Sequence, residues 1–273
     1  MSLGTLFSPQ DLYLAWEREP WSSQEVDLAA DAAAWPALDA SERDAILWAL
    51  SSLIVAEERI TTQFTGLVLA ADDEEETSYL ATQQVDEAKH LQFYARFQNE
   101  VVADPAAIAA HVERAREHLG DPFRTIFDEA LVQAHEKLVA DPRDRGAKVE
   151  FVTTYHQVIE GTLGTTAFNF ITNYLNEHEL LPGFVAGYRR IARDEQRHVA
   201  YGTGFLRAAV ADDPAMGEAV RATLHRLLPA VAQALEPPSQ DGGGPAFGID
   251  PAEVRAFALD GLTRRLNVIG VSL

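Results

Sequence analysis

Apolar residues recur three and four positions apart over eight stretches of this chain, and nowhere do they alternate long enough to make a strand. The stretches run roughly over 41–70, 74–102, 105–118, 122–139, 147–177, 183–211, 214–235 and 251–267, which predicts an all-α protein. Asp-Pro pairs punctuate them at 104–105, 121–122, 141–142, 213–214 and 250–251. An aspartate N-cap followed by proline at the first helical position marks a helix start. Four of the pairs precede helices, whereas "DPRDRG" (141–146) reads as a loop or very short turn. "SERD" (41–44) offers Ser41 as a cap with Asp44 answering it. Four of the stretches span about 27–31 residues, or roughly 40–45 Å, the length of helices that pack side by side in a bundle. Composition shifts once, at "EPPSQDGGGPAFG" (236–248). That divides the chain into a helical domain over 1–235 and, over 236–273, a flexible connection with a last helix.

The apolar faces are interrupted in a regular way. In 41–70 the inward row is Ile46, Leu50, Leu53, Glu57, Ile60, Phe64 and Leu67, with Glu58 turned toward the flank. In 74–102 it is Leu80, Gln83, Glu87, His90, Tyr94, Phe97 and Val101, and in 147–177 Thr153, His156, Glu160, Leu163, Ala167, Phe170 and Tyr174. The stretch 183–211 carries "IARDEQRHVAYG", with Glu195 and His198 again three apart. A carboxylate buried alone is costly unless it is paired or binds a cation. The predicted order is Glu, Glu-x-x-His, Glu, Glu-x-x-His on four long helices, and two divalent cations would balance its four glutamates. One Glu-x-x-His means little, but two copies on apolar faces in this order specify a dinuclear carboxylate bundle. Oxygen and imidazole donors suit iron or manganese, and a chain with no cysteine has no thiolate ligands and no disulfides.

Charge narrows the partners. A formal charge of −20 opposes binding to nucleic acid or to anionic membrane surfaces. No apolar run reaches the ~18–20 residues of a membrane span. "MSLGTLFSPQDLYLAW" lacks the basic flank and apolar core of a signal peptide, so a cytoplasmic location is expected.

From Trp16 to Leu206 the sequence resembles the ribonucleotide reductase small-subunit family of ferritin-like proteins, through "WSSQEVDL" (21–28) and "IARDEQRH" (191–198). The resemblance implies a ferritin-like bundle with flanking helices. It implies two metal ions per chain, Mn/Fe or Fe/Fe, on Glu57, Glu87, His90, Glu160, Glu195 and His198, with Glu87 and Glu195 bridging. It also implies that Asp194 accepts a hydrogen bond from a ligand histidine and leads toward Trp21, and that the chain forms a homodimer. "YHQVIEGTLG" (155–164) and "RDEQRHVAYGTGFL" (193–206) are most similar to the family's ligand-binding oxidases. In those proteins a manganese–iron site activates O2 beside a bound long-chain fatty acid, and a tyrosine becomes ether-linked to a valine. Tyr155 and Ile60 occupy the matching positions here, with isoleucine replacing valine. Tyr94 stands where reductase subunits carry a radical tyrosine and the oxidases carry phenylalanine. Phe168 stands where an oxidase tyrosine is expected.

The leading expectation is therefore an O2-activating dinuclear oxidase acting on a C–H bond of an apolar, fatty-acid-like molecule, with Leu163, Phe168 and Ile171 lining its pocket. The alternatives are a reductase radical-generating subunit and a non-catalytic metal or lipid binder. "RRLNVIGVSL" (264–273) supplies neither the tyrosine nor the acids expected of a reductase tail, and the last tyrosine is Tyr201.

Overall fold

A computed structural model describes residues 7–118, 120–236 and 249–273; from 237 onward the predicted flexible connection lies outside the described residues. Helices α1 (Pro9–Arg18) and α2 (Ala29–Ala34) precede the first long helix, α3 (Ala40–Gln63), which is separated at Phe64 from α4 (Thr65–Leu69). Next come α5 (Glu74–Phe97), extended by a π-helical turn over Gln98–Val102, then α6 (Pro105–His118) and α7 (Gly120–Phe123). A second π-helical stretch, Arg124–Ala130, leads into α8 (Leu131–Ala140). Helix α9 (Arg145–Val152), a π-helical stretch over Thr153–Gly164 and α10 (Thr165–Glu177) follow one another without a gap, as one rod. The chain ends with α11 (Pro182–Asp212), α12 (Pro214–Ala234) and α13 (Pro251–Ile269). Among the described residues there is no strand, as the periodicity predicts.

Capping explains most boundaries. Asp104, Asp213 and Asp250 each accept hydrogen bonds from backbone N–H groups just inside the helix they precede. The Asp121–Pro122 pair does not open its helix, which starts at Gly120. Glycine adopts the left-handed backbone there (φ +60°), and Asp121 instead accepts from Arg124 at 2.6 Å. Helix α3 starts one residue earlier than expected. Asp39 is the last extended residue and forms a capping box with Glu42, displacing the anticipated Ser41–Asp44 pair. The segment "DPRDRG" opens with a turn at 142–143, and its Asp144 caps α9, which takes in Arg145 and Gly146.

Helices α3, α5, α11 and the α9–α10 rod form the central bundle. Helix α1 lies on α5, α6 on α3, α12 across α9 and the π-helical stretch, and α13 against α10, α11 and that same stretch. The apolar interior forms two clusters, one around Ile60, Phe64, Leu80, Tyr155 and Tyr201, the other around Ile54, Phe93, Tyr94, Leu175 and Ile191. Each long helix passes from one cluster to the other. On α3 the crossing lies between Ile54 and Ile60, on α5 between Leu80 and Phe93, on α11 between Ile191 and Tyr201. Every crossing carries one of the predicted glutamates, so the polar layer is sandwiched between two dry ones.

Candidate metal centre

In that layer Glu57, Glu87, His90, Glu160, Glu195 and His198 are all buried and meet. Two quartets emerge, Glu57–Glu87–His90–Glu195 and Glu87–Glu160–Glu195–His198, in each of which the facing donor atoms lie within 4.8 Å of one another. Glu87 and Glu195 belong to both. His90 Nδ1 lies 3.3 Å from Glu195, 3.5 Å from Glu87 and 4.0 Å from Glu57. His198 Nδ1 lies 3.2 Å from both Glu87 and Glu160 and 3.8 Å from Glu195. The helical spacing causes this convergence, because residues three apart share a face and each Glu-x-x-His presents both side chains inward.

The far nitrogens each face an aspartate. His90 Nε2 lies 3.3 Å from Asp194 Oδ2, which also accepts a 2.7 Å hydrogen bond from Trp21 Nε1. Sequence reasoning anticipated that chain but missed its twin. His198 Nε2 lies 3.5 Å from Asp86 Oδ2, and Trp16 Nε1 donates to Asp86 Oδ1 at 3.0 Å. Arg197 Nη2 joins the two, donating to Asp194 at 2.5 Å and Asp86 at 3.1 Å, while Lys89 donates to Asp86 at 2.7 Å. The signal for Asp86 was present: it precedes Glu87 as Asp194 precedes Glu195, so the repeated unit is Asp-Glu-x-x-His.

Around the Glu160 side, Tyr155 donates to Glu87 Oε1 at 2.6 Å and Gln83 Nε2 donates to Glu160 at 3.3 Å. His156, also missed as a neighbour of the centre, lies against Gln83 and the Tyr155 and Tyr201 rings. Gly202 makes room for it, since a Cβ there would sit 2.3 Å from the His156 Cβ. Tyr94 is fully buried and its hydroxyl has no hydrogen-bond partner among the described residues.

Electrostatics shows what the cluster lacks. Burial, then the Glu87 charge, raise Glu57 well above the usual carboxylate range; burial, then the Glu195 charge, do the same to Glu160. Burial also opposes ionisation of Glu87, but hydrogen bonds from His198 and His90 outweigh it and hold that carboxyl well below its ordinary range. Burial would lower both histidines, yet the surrounding carboxylates raise them well above ordinary values. These directions favour the neutral form of Glu57 and Glu160 and the protonated form of both imidazoles. Glu57 Oε2 and Glu160 Oε2 are buried with no hydrogen-bond partner among the described residues. Such orphaned donors on an oxygen–nitrogen set fit two divalent ions.

A cavity of about 470 Å³ lies between α3 and the α9–α10 rod, and Glu57, Glu160, Glu195 and Tyr94 contribute to its lining. Leu163, Phe168 and Ile171 line its apolar walls, along with Ile60 and Phe127. Among the described residues, no helix is long and apolar enough to cross a membrane.

The family described as "Ribonucleotide reductase, small chain" matches residues 9–234. Among solved structures, the R2-like ligand-binding oxidase from Sulfolobus acidocaldarius superposes with a TM-score of 0.83 at 23% identity, covering 97% of this chain and 91% of that one. A tyrosine-to-phenylalanine variant of R2-like ligand-binding oxidase with an aerobically reconstituted Mn/Fe cofactor gives 0.82 at 22% identity over 97% and 94%. A valine-to-isoleucine variant with an anaerobically reconstituted Mn/Fe cofactor gives 0.83 at 22% over the same shares. At these identities the likeness is one of fold.

Proposed function

This chain belongs to the ribonucleotide reductase small-chain family, and from that premise we propose that it is a dinuclear metal oxidase that uses O2 to oxidise a C–H bond of an apolar molecule held in the interhelical cavity. The observation that carries the reading is the pair of buried quartets sharing Glu87 and Glu195. Glu57 and His90 would hold one ion, Glu160 and His198 the other, and the two shared glutamates both. Iron or manganese bound there would supply the redox chemistry with O2. The protein's part is to orient ligands and exclude water. Asp194 with Trp21, and Asp86 with Trp16, fix the ring of each histidine and keep its cluster-facing nitrogen free. Tyr155 donates its proton toward Glu87, restraining that carboxylate. The cavity volume falls in the range of small-molecule sites, and its walls of Leu163, Phe168 and Ile171 suit a fatty-acyl chain whose polar end faces Glu57 and Glu160. Tyr155 and Ile60 are the candidate pair for a tyrosine–aliphatic ether link.

Element-resolved anomalous scattering from crystals grown with manganese and iron tests the reading directly. Two metal peaks between the six side chains, with elongated density in the cavity, are the expected result; absence of metal from the quartets would refute it. Tyr94, buried beside Glu57 with an unpartnered hydroxyl, favours a second reading, a radical-generating reductase subunit. Nucleotide reduction in the presence of a reductase large subunit, abolished in Tyr94→Phe, would establish that alternative.

A further inference from the structure

The family match ends at residue 234, yet α13 docks beyond it, against α10, α11 and the π-helical stretch, burying Leu262, Leu266 and Ile269. From this face Arg265 reaches inward. Its Nε donates to Gln157 Oε1 at 3.0 Å, and its Nη2 donates to the Gln157 carbonyl at 3.3 Å and to Thr162 Oγ1 at 2.8 Å. Thr162 Oγ1 donates to the same carbonyl at 2.7 Å, and Gln157 Nε2 donates across to Thr203 on α11 at 3.3 Å. Among the described residues no carboxylate pairs with this guanidinium. Burial, then the neighbouring Arg264, pull its pKa down to about 10. Placing an arginine there without a counter-ion is unfavourable. What offsets that cost is a single turn of backbone, Gln157 to Thr162, which brackets Glu160.

That turn is π-helical, and Gly161 makes the contact possible. A Cβ at 161 would lie 2.6 Å from the His156 carbonyl oxygen and 2.9 Å from Arg265 Cζ. A glycine next to the glutamate thus lets the guanidinium lie on the widened turn. One residue of helical register is a rotation of about 100° about the axis. Reverting from π to α hydrogen bonding would therefore swing Glu160 away from His198, now 3.2 Å off. π-Helical turns are local departures from an otherwise favoured α-helix and commonly sit at functional sites. We propose that α13 is a positioning element, in which Arg265 holds the 157–162 turn in π register and thereby aims the Glu160 carboxylate at His198. The consequence for metal rests on Glu160 being a ligand; the consequence for the backbone does not.

The experiment uses the full chain in three variants, Arg265→Ala, Arg265→Lys and Leu262→Ala, the last removing a buried apolar contact of α13 but no hydrogen bond to the turn. In metal-free protein, hydrogen exchange of amides in 157–166 is expected to rise about tenfold or more in Arg265→Ala, to rise less in Arg265→Lys, and to stay within about twofold of wild type in Leu262→Ala. In Mn(II) titrations, Arg265→Ala is expected to weaken one of the two binding events about tenfold and leave the other within about twofold, the size of effect seen when outer-shell partners of metal ligands are removed. Wild-type exchange in 157–166 of Arg265→Ala, or exchange equal to that of Leu262→Ala, would overturn the proposal. Should Arg265→Ala fail to fold, the same comparison between Arg265→Lys and Leu262→Ala decides. A wild-type chain that binds neither Mn(II) nor Fe(II) would refute the oxidase reading while leaving the exchange result to judge Arg265.

Discussion

The His90 and His198 halves of the centre are built from the same five-residue unit and end up chemically unlike. Each has Asp-Glu-x-x-His on a long helix, an aspartate behind the imidazole and an indole behind the aspartate. The aspartates are exchanged: Asp194 of α11 backs His90 of α5, and Asp86 of α5 backs His198 of α11, with Arg197 between them. The difference comes from the other two helices. Glu57 sits on regular α-helix beside Ile60 and Tyr94, whereas Glu160 sits on a π-helical turn with Gln83 donating to it and His156 close by. Internal symmetry gives two quartets of ligand atoms, and the asymmetric partners make them unequal.

The strongest way to break this comparison is to remove what the halves share. Glu87→Ala is expected to abolish stable occupancy at both positions, while His90→Ala and His198→Ala each lose one. Metal content per chain after gel filtration checks this, and two retained metals in Glu87→Ala and His90→Ala would contradict the ligand set. Next in size are the crossed aspartates. Asp194→Ala is expected to weaken the His90 position about 10–100-fold and Asp86→Ala the His198 position by as much, each sparing the other. Isothermal titration with Mn(II) separates these outcomes. An equal effect on both events would show that Arg197 couples the halves into one unit.

Much of this was legible in the sequence, and the rest was hidden for identifiable reasons. Helix periodicity and the two Glu-x-x-His copies located every long helix and the six converging side chains, because burial of a charged residue on an apolar stripe is visible as a violation of pattern. Asp86 escaped because it lies off the inward row by one residue, and only comparison with Asp194 reveals it. The π-helical stretch Thr153–Gly164 escaped because its residues keep helix-like spacing over short windows while the register drifts. Arg265 escaped for another reason: a composition break at 236–248 makes the last helix look detached, and no local signal says where it docks.

Protonation provides a gentler test. In the metal-free chain His90, His198, Glu57 and Glu160 all have folded-state pKa values above their ordinary ones. Each contributes stability that is present below its unfolded pKa and lost as pH rises through its folded pKa. Glu87, Asp86 and Asp194 are held low, so their contribution is lost only as pH falls below the usual carboxylate range. Raising the pH above the ordinary histidine value of about 6.5 is therefore expected to lower the melting temperature of chelator-treated protein. Metal binding needs deprotonated ligands, so the same change strengthens it. The gap between the Mn(II)-loaded and metal-free melting temperatures should widen between about pH 6 and pH 9; a constant gap would show that the cluster does not hold these protons.

The smallest effect is expected one residue from one of the largest. Glu57 and Glu58 are adjacent carboxylates on α3, but only Glu57 faces the quartet, and Glu58 is half-buried on the flank. Glu57→Gln keeps the shape but cannot ionise, so it should release or loosen the cation at the His90 position. Glu58→Gln should leave metal content unchanged, since Glu58 is outside both quartets. The pair separates helix-face geometry from overall acidity, because each variant removes one carboxyl group from the same turn of α3. Equal loss of metal from the two would mean that the acidic surface, and not the converging side chains, attracts the ions.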